Sequence, residues 1–164
     1  SAAYDFDHPT IANYWSFVIR QDPAFLMTNK FIDVFGAEQL RTIETGSSFR
    51  NGIIYGNNAN EFKLEIEEST GPLFTFEHFL FKTDEPTNND NGHFPDQGTI
   101  FRNQEPGFVD GSEGDFHLKA TSFARGRANP LVDVPQDLDG QERPNFGDNA
   151  DSFLPDLGCY EYVP

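Results

Sequence analysis

Short apolar runs that close on an asparagine recur along the first two thirds of the chain. "TIANYW" from Thr10, "LMTNKF" from Leu26, "NGIIYGNN" from Asn51 and "GTIFRNQ" from Gly98 set apolar or β-branched residues shortly before Asn13, Asn29, Asn57 and Asn103. "FTFEHFLFKTD" from Phe74 fits the same scheme with Asp84 in place of Asn. Asn tolerates the left-handed backbone, and its side chain bonds neighbouring turns, so it suits the close of a strand. Strand, turn and strand at such intervals predict an all-β chain wound into stacked coils. The irregular spacing leaves a β-sandwich as the competing arrangement.

Composition supports strands over helices. Eighteen Phe against one Met and one Trp predict a core of stacked rings rather than Leu-rich helix packing. Phe, Tyr and Ile favour strands, and eleven Pro with fourteen Gly supply turns. "EFKLEIEE" from Glu61 alternates Phe62, Leu64 and Ile66 with charge, as a half-buried strand does. The polar stretch 84–97 reads as a protruding loop. Residues 33–50 hold the best helix candidate, with an insertion between coils fitting equally well. At 164 residues one domain is expected, burying roughly 70% of its unfolded surface. It divides into coils with loop insertions over 1–107 and a last coil with a capping tail over 108–164.

The formal charge of −16, from 27 acidic and 11 basic residues, repels phosphate backbones and argues against a nucleic-acid partner. It suits solubility, cation binding or an uncharged ligand. Cys159 is alone, so no internal disulfide forms. No apolar run is long enough for a transmembrane helix. The opening "SAAYDFDHPT" lacks the basic and apolar regions of a signal peptide.

The tail carries ordered motifs. Asp115, Phe116 and Leu118 are followed by Ser122, Ala124 and Gly126, then Asp137, Gly140, Arg143 and Pro144, and finally Asp156, Leu157, Gly158, Tyr160 and Glu161. This succession resembles the C-terminal end of bacterial right-handed parallel β-helix proteins of the choice-of-anchor Q domain type. Phe123 stands where Pro is usual in that family and Cys159 where Ala is common. The resemblance implies a right-handed parallel β-helix and an exported, often cell-surface, protein; it implies no activity, because such helices carry lyases, hydrolases and adhesins alike. The residues before the tail suffice for about four coils at solenoid repeat lengths. The expectation is a piece of a longer helix, completed by further N-terminal coils or a partner chain.

The tail stretch "DLDGQERPNFGDNADSFLPDLGCYEY" from Asp137 invites a calcium reading. An EF-hand-like loop with Gly140 at position 6 would place Pro135 at position 1 and Phe146 at position 12, where oxygen ligands are required. The match fails. Asp137 and Asp139 are expected to fix a turn, and Arg143 to pair with Asp156 or Glu161. Tyr160 would cover the last coil, and the six residues together form a structural cap.

Other sites are less defined. Asp84, Glu85 and Asp90, with His93 and Asp96 nearby, form an oxygen-rich loop that suggests calcium, although no cofactor is required. His8, His78, His93 and His117 show no zinc spacing. Arg20, Lys30, Lys63, Lys82 and Arg102 are the candidate bases for a polysaccharide lyase. Arg20 and Lys30 flank predicted strands and are expected to share a glycan-binding face with Trp15. The reading is an exported, non-catalytic surface module associated with polysaccharide. A C-terminal part of a polysaccharide lyase or glycoside hydrolase is the alternative, and an adhesion module that a partner chain completes is a third.

Overall fold

The computed structural model describes residues 3–41, 46–67, 74–88, 92–144 and 154–164. Eleven strands are described: β1 (Asp5–Asp7), β2 (Thr10–Asn13), β3 (Phe25–Thr28), β4 (Lys30–Ile32), β5 (Glu38–Leu40), β6 (Ser47–Gly56), β7 (Phe62–Glu65), β8 (Phe74–Phe81), β9 (Ile100–Arg102), β10 (Phe108–Asp110) and β11 (Asp115–Leu118). The central sheet runs β1, β6, β8, β9, with β2 also on β6, and all its pairings are parallel. Three further sheets have two strands each: parallel β3–β7, and antiparallel β4–β5 and β10–β11. No described helix is long and apolar enough to cross a membrane.

The chain is all-β, but the expected right-handed solenoid is overturned. Among the described residues the strands form several small sheets and no closed coil. The second parallel face stops at β3 and β7. The stretch after β3 turns back on itself as the antiparallel β4–β5 hairpin, and the described residues between β8 and β9 contribute no strand. Among the described residues the competing sandwich of two large sheets is not formed either, since every sheet but the central one has two strands.

The helix expected over 33–50 is also replaced. Asp33 accepts the amides of Phe35 and Ala37 through its carboxylate, and Gly36 is left-handed at φ 81°. That turn closes the β4–β5 hairpin and leaves Val34 and Phe35 exposed at its tip. Side-chain bonding to nearby amides competes with helix at such a position. Residues 42–45 lie outside the described residues.

Both faces of the central sheet are covered, as parallel sheets require. One face holds Phe49, Ile54, Phe62, Phe74, Phe76, Phe79, Phe81 and Phe94. The other holds Ile53, Tyr55 and Leu80 beneath Phe108, Leu118, Ala124, Ala128 and Leu157 of the tail. Phe108, Leu118, Ala124, Ala128 and Leu157 of the tail therefore share a core with the strands before them.

A row of left-handed residues crosses the sheet. His8, Asn51 and His78 have φ of 52°, 60° and 50°. Asp7, Arg50 and Glu77 pair just before them, and Gly52 pairs Phe79 just after. Each left-handed step resets the alternation, so Phe74 and Phe76 before His78 face the same cluster as Phe79 and Phe81 after it. A Cβ on Gly52 would lie 2.2 Å from the Phe79 ring, so the row admits only glycine there. Of the four asparagines singled out by the repeat, Asn103 is left-handed (φ 55°), while Asn13, Asn29 and Asn57 are not.

Candidate functional site

Of the three residues expected to form a glycan-binding face, Arg20 lies beside the base of the Trp15 loop and Lys30 stands apart. Trp15 and Phe17 are 54% and 83% exposed, their ring centres 5.0 Å apart in an edge-to-face arrangement. The loop base is fixed: the Trp15 amide donates to Asn13 Oδ1 at 3.2 Å, and Asn57 Nδ2 donates to the Tyr14 carbonyl at 2.8 Å. Arg20 reaches the Asn13 carbonyl at 3.3 Å, which puts it beside that base. Its guanidinium also meets the fully buried Glu61 at 2.5 Å. Glu61 in turn accepts the amides of Ala24 and Asn58. Lys30 binds Glu67 at 2.5 Å. The Arg20–Glu61 pair lies at the Phe25–Phe62 end of the β3–β7 ladder and Lys30 just beyond its Thr28–Glu65 end, so Lys30 does not join Trp15.

The loop read as an oxygen-rich protrusion is partly folded inward. Asp84 and Glu85 are exposed, whereas Thr87, His93 and Phe94 are buried; Asp90 lies outside the described residues. His93 Nδ1 donates to the Phe74 carbonyl at 2.9 Å, and the ring stacks on Phe74 at 4.1 Å. Glu85, His93, Phe94 and Phe62 line a cavity of about 330 Å³. Among the described residues no group of three His, Cys, Asp or Glu is placed to hold a metal ion. The other candidate bases are engaged: Lys82 donates to the Gly56 carbonyl, Lys63 pairs with Glu65 and Arg102 donates to the Glu85 carbonyl.

In the tail, five of the six residues named as a cap meet one another, while the Tyr160 ring stacks on His117. Asp137 Oδ1 accepts the amides of Asp139 and Gln141 at 2.9 and 2.8 Å, and its Oδ2 accepts the Glu161 amide at 2.9 Å. Arg143 donates to Glu161 and to the Gly158 carbonyl. Asp156 accepts the amides of Gly126 and Tyr162, and its own amide donates to Glu161. Burial and the Asp156 carboxylate push Glu161 up to about 7, against the pull of Arg143. Burial likewise raises Asp156. Both carboxylates, with Arg125 and Tyr162, line a cavity of about 510 Å³. The Arg125 guanidinium sits 3.9 Å over the Tyr162 ring.

Three polar groups escaped the sequence reading. His117 Nδ1 lies 2.6 Å from Asp115 and Nε2 2.8 Å from Asp139, with the ring stacked 4.1 Å from Tyr160. Asp139, then Asp115, hold its pKa above the usual histidine value. The D-x-H spacing, which puts both side chains on one face of a strand, was the available signal. Asn51, fully buried, donates to the Asn129 carbonyl and accepts the Asn129 amide. It also meets His8 Nε2 at 2.9 Å, while its carbonyl accepts the Gly158 amide. Burial, then the Arg143 charge, lowers His8 to about 3, so the ring is neutral at ordinary pH.

No family model, curated protein or solved structure matches the chain.

Proposed function

We propose that this chain is an exported, non-catalytic binding module that holds carbohydrate against Trp15 and Phe17. The observation that carries the reading is the exposure of these two rings on a loop whose base is pinned by Asn13 and Asn57. A ring fixed in place and open to water offers a flat apolar face without the entropy cost of ordering it. The net charge of −16 favours a neutral glycan over an acidic one. Export rests on the likeness of the tail motifs to those of surface β-helix proteins. The buried acids support a structural role: Glu61 and Asp156 accept backbone amides of distant segments, and Glu161 pairs with Arg143.

Trp15 is the one tryptophan in the chain, so its emission reports on the proposed site directly. Titration with neutral glucan, xylan and mannan oligosaccharides is expected to shift or quench that emission saturably with at least one of them. Phe17→Ala should weaken the response at least tenfold with melting unchanged. An emission spectrum that no glycan moves, or full affinity in a Trp15→Ala variant measured calorimetrically, would overturn the reading.

A further inference from the structure

Among the described residues the central sheet ends at β1, and the outer edge of that strand carries no partner. The Ser48 amide donates to the Tyr4 carbonyl and the His8 amide to the Arg50 carbonyl, so the even-numbered residues of β1 face β6. The N–H and C=O groups of Asp5 and Asp7 therefore point to the free side. Among the described residues no strand pairs there. Two columns of side chains also break off at β1. Phe76, Phe49 and Phe6 stack ring on ring, at 4.6 Å and 18° and then at 4.8 Å and 1°, and Phe6 is 44% exposed. In the neighbouring column Glu77, Arg50 and Asp7 alternate in sign, with Arg50 gripping Asp7 through two bonds of 2.7 and 2.8 Å. On the other side of Phe6, Asp5 is exposed and accepts the Ser48 hydroxyl.

The geometry points to β1 as the docking edge for an extended, basic peptide segment of another protein, added as a further parallel strand. An aromatic residue of that segment continues the ring stack on Phe6. Lys or Arg on either side of it continues the alternation beyond Asp7 and meets Asp5. Main-chain bonds to Asp5 and Asp7 supply affinity, and the three side chains supply register. A second copy of this chain is a poor occupant, because two bodies of charge −16 repel, whereas a basic segment is attracted.

The test is fluorescence anisotropy of a labelled peptide with an Arg-Phe-Arg centre, titrated with the full chain. Saturable binding is expected, at least tenfold weaker for a Glu-Phe-Glu peptide and for the Arg-Phe-Arg peptide with N-methylated backbone amides. Asp5→Lys and Phe6→Ala should each weaken it at least tenfold; Asp5 lies outside the core, so an unchanged melting curve keeps that variant interpretable. Three results would overturn the proposal. The Arg-Phe-Arg peptide does not bind, which leaves Asp5 and Asp7 as charges that only guard an edge. The N-methylated peptide binds as well, which reduces the effect to diffuse attraction. Or light scattering shows self-association that the peptide does not displace, which gives the edge to a second copy.

Discussion

The two faces of the central sheet are held by different physics. On one face, Phe rings from β3, β6, β7 and β8 pack against each other, and Phe76 alone touches seven other rings. On the other, the tail is tied down by directional bonds: Asn51 to Asn129 and Gly158, His78 to the Arg127 carbonyl, and Asp156 to Gly126 and Tyr162. Ring packing depends on volume and shape, whereas the tail depends on which atom donates and which accepts. The aromatic face should tolerate apolar exchange, and the tail face should resist even isosteric change.

The largest effect is expected at the Arg143–Glu161 pair. Glu161→Ala leaves a guanidinium buried without its partner and should cost about 3–5 kcal/mol in denaturant unfolding. Replacing both, as Arg143→Met with Glu161→Leu, should recover most of that loss. A double variant as unstable as the single one would break the ion-pair account.

Next comes the polar row. Asn51→Leu removes the partner of His8 and of the part-buried Asn129 amide and carbonyl, and should cost about 1–3 kcal/mol in all. By contrast, Phe76→Leu on the aromatic face should cost about 1.5 kcal/mol or less if neighbouring rings repack, with chemical denaturation as the check.

A finer test uses pH. The unfolded state protonates His8 near pH 6.5, while the folded state does so only near pH 3. Between these values the unfolded state binds more protons, so stability is full above pH 6.5 and falls as pH drops. The slope is roughly 1.4 kcal/mol per pH unit until about pH 3. The difference in unfolding free energy between wild type and His8→Gln should carry that slope. Glu161 acts in the opposite sense, favouring the folded state below its value of about 7, so wild type alone conceals the effect between pH 4.5 and 6.5.

Much of the strand content was legible because alternation reports directly on half-buried strands. "EFKLEIEE" contains β7, and the wealth of Phe announced stacked rings. The Asp137–Gly140 turn was legible too, since Asp followed by Gly has few other uses. The resets at His8 and His78 were not, because histidine carries no turn signature and its left-handed step is paid for by tertiary bonds to Asn51 and Arg127. The burial of Glu61 was not legible either, since alternation with charge says nothing of a distant partner; it is fully buried because Arg20, forty-one residues away, meets it. The failure of the coils to close was equally invisible, since a strand's sequence does not state which strand it will pair.

The most direct test of the two-face account is residue-resolved amide exchange in an Asn51→Ala variant. The account predicts lost protection at Asn129, Leu157 and Gly158, whose amides hold the tail, while Phe76 and Lys82 stay protected by their bonds to His93 and Ile54. Equal loss at both groups would contradict it, showing that the two faces unfold as one and that Asn51 holds the whole sheet rather than the tail alone.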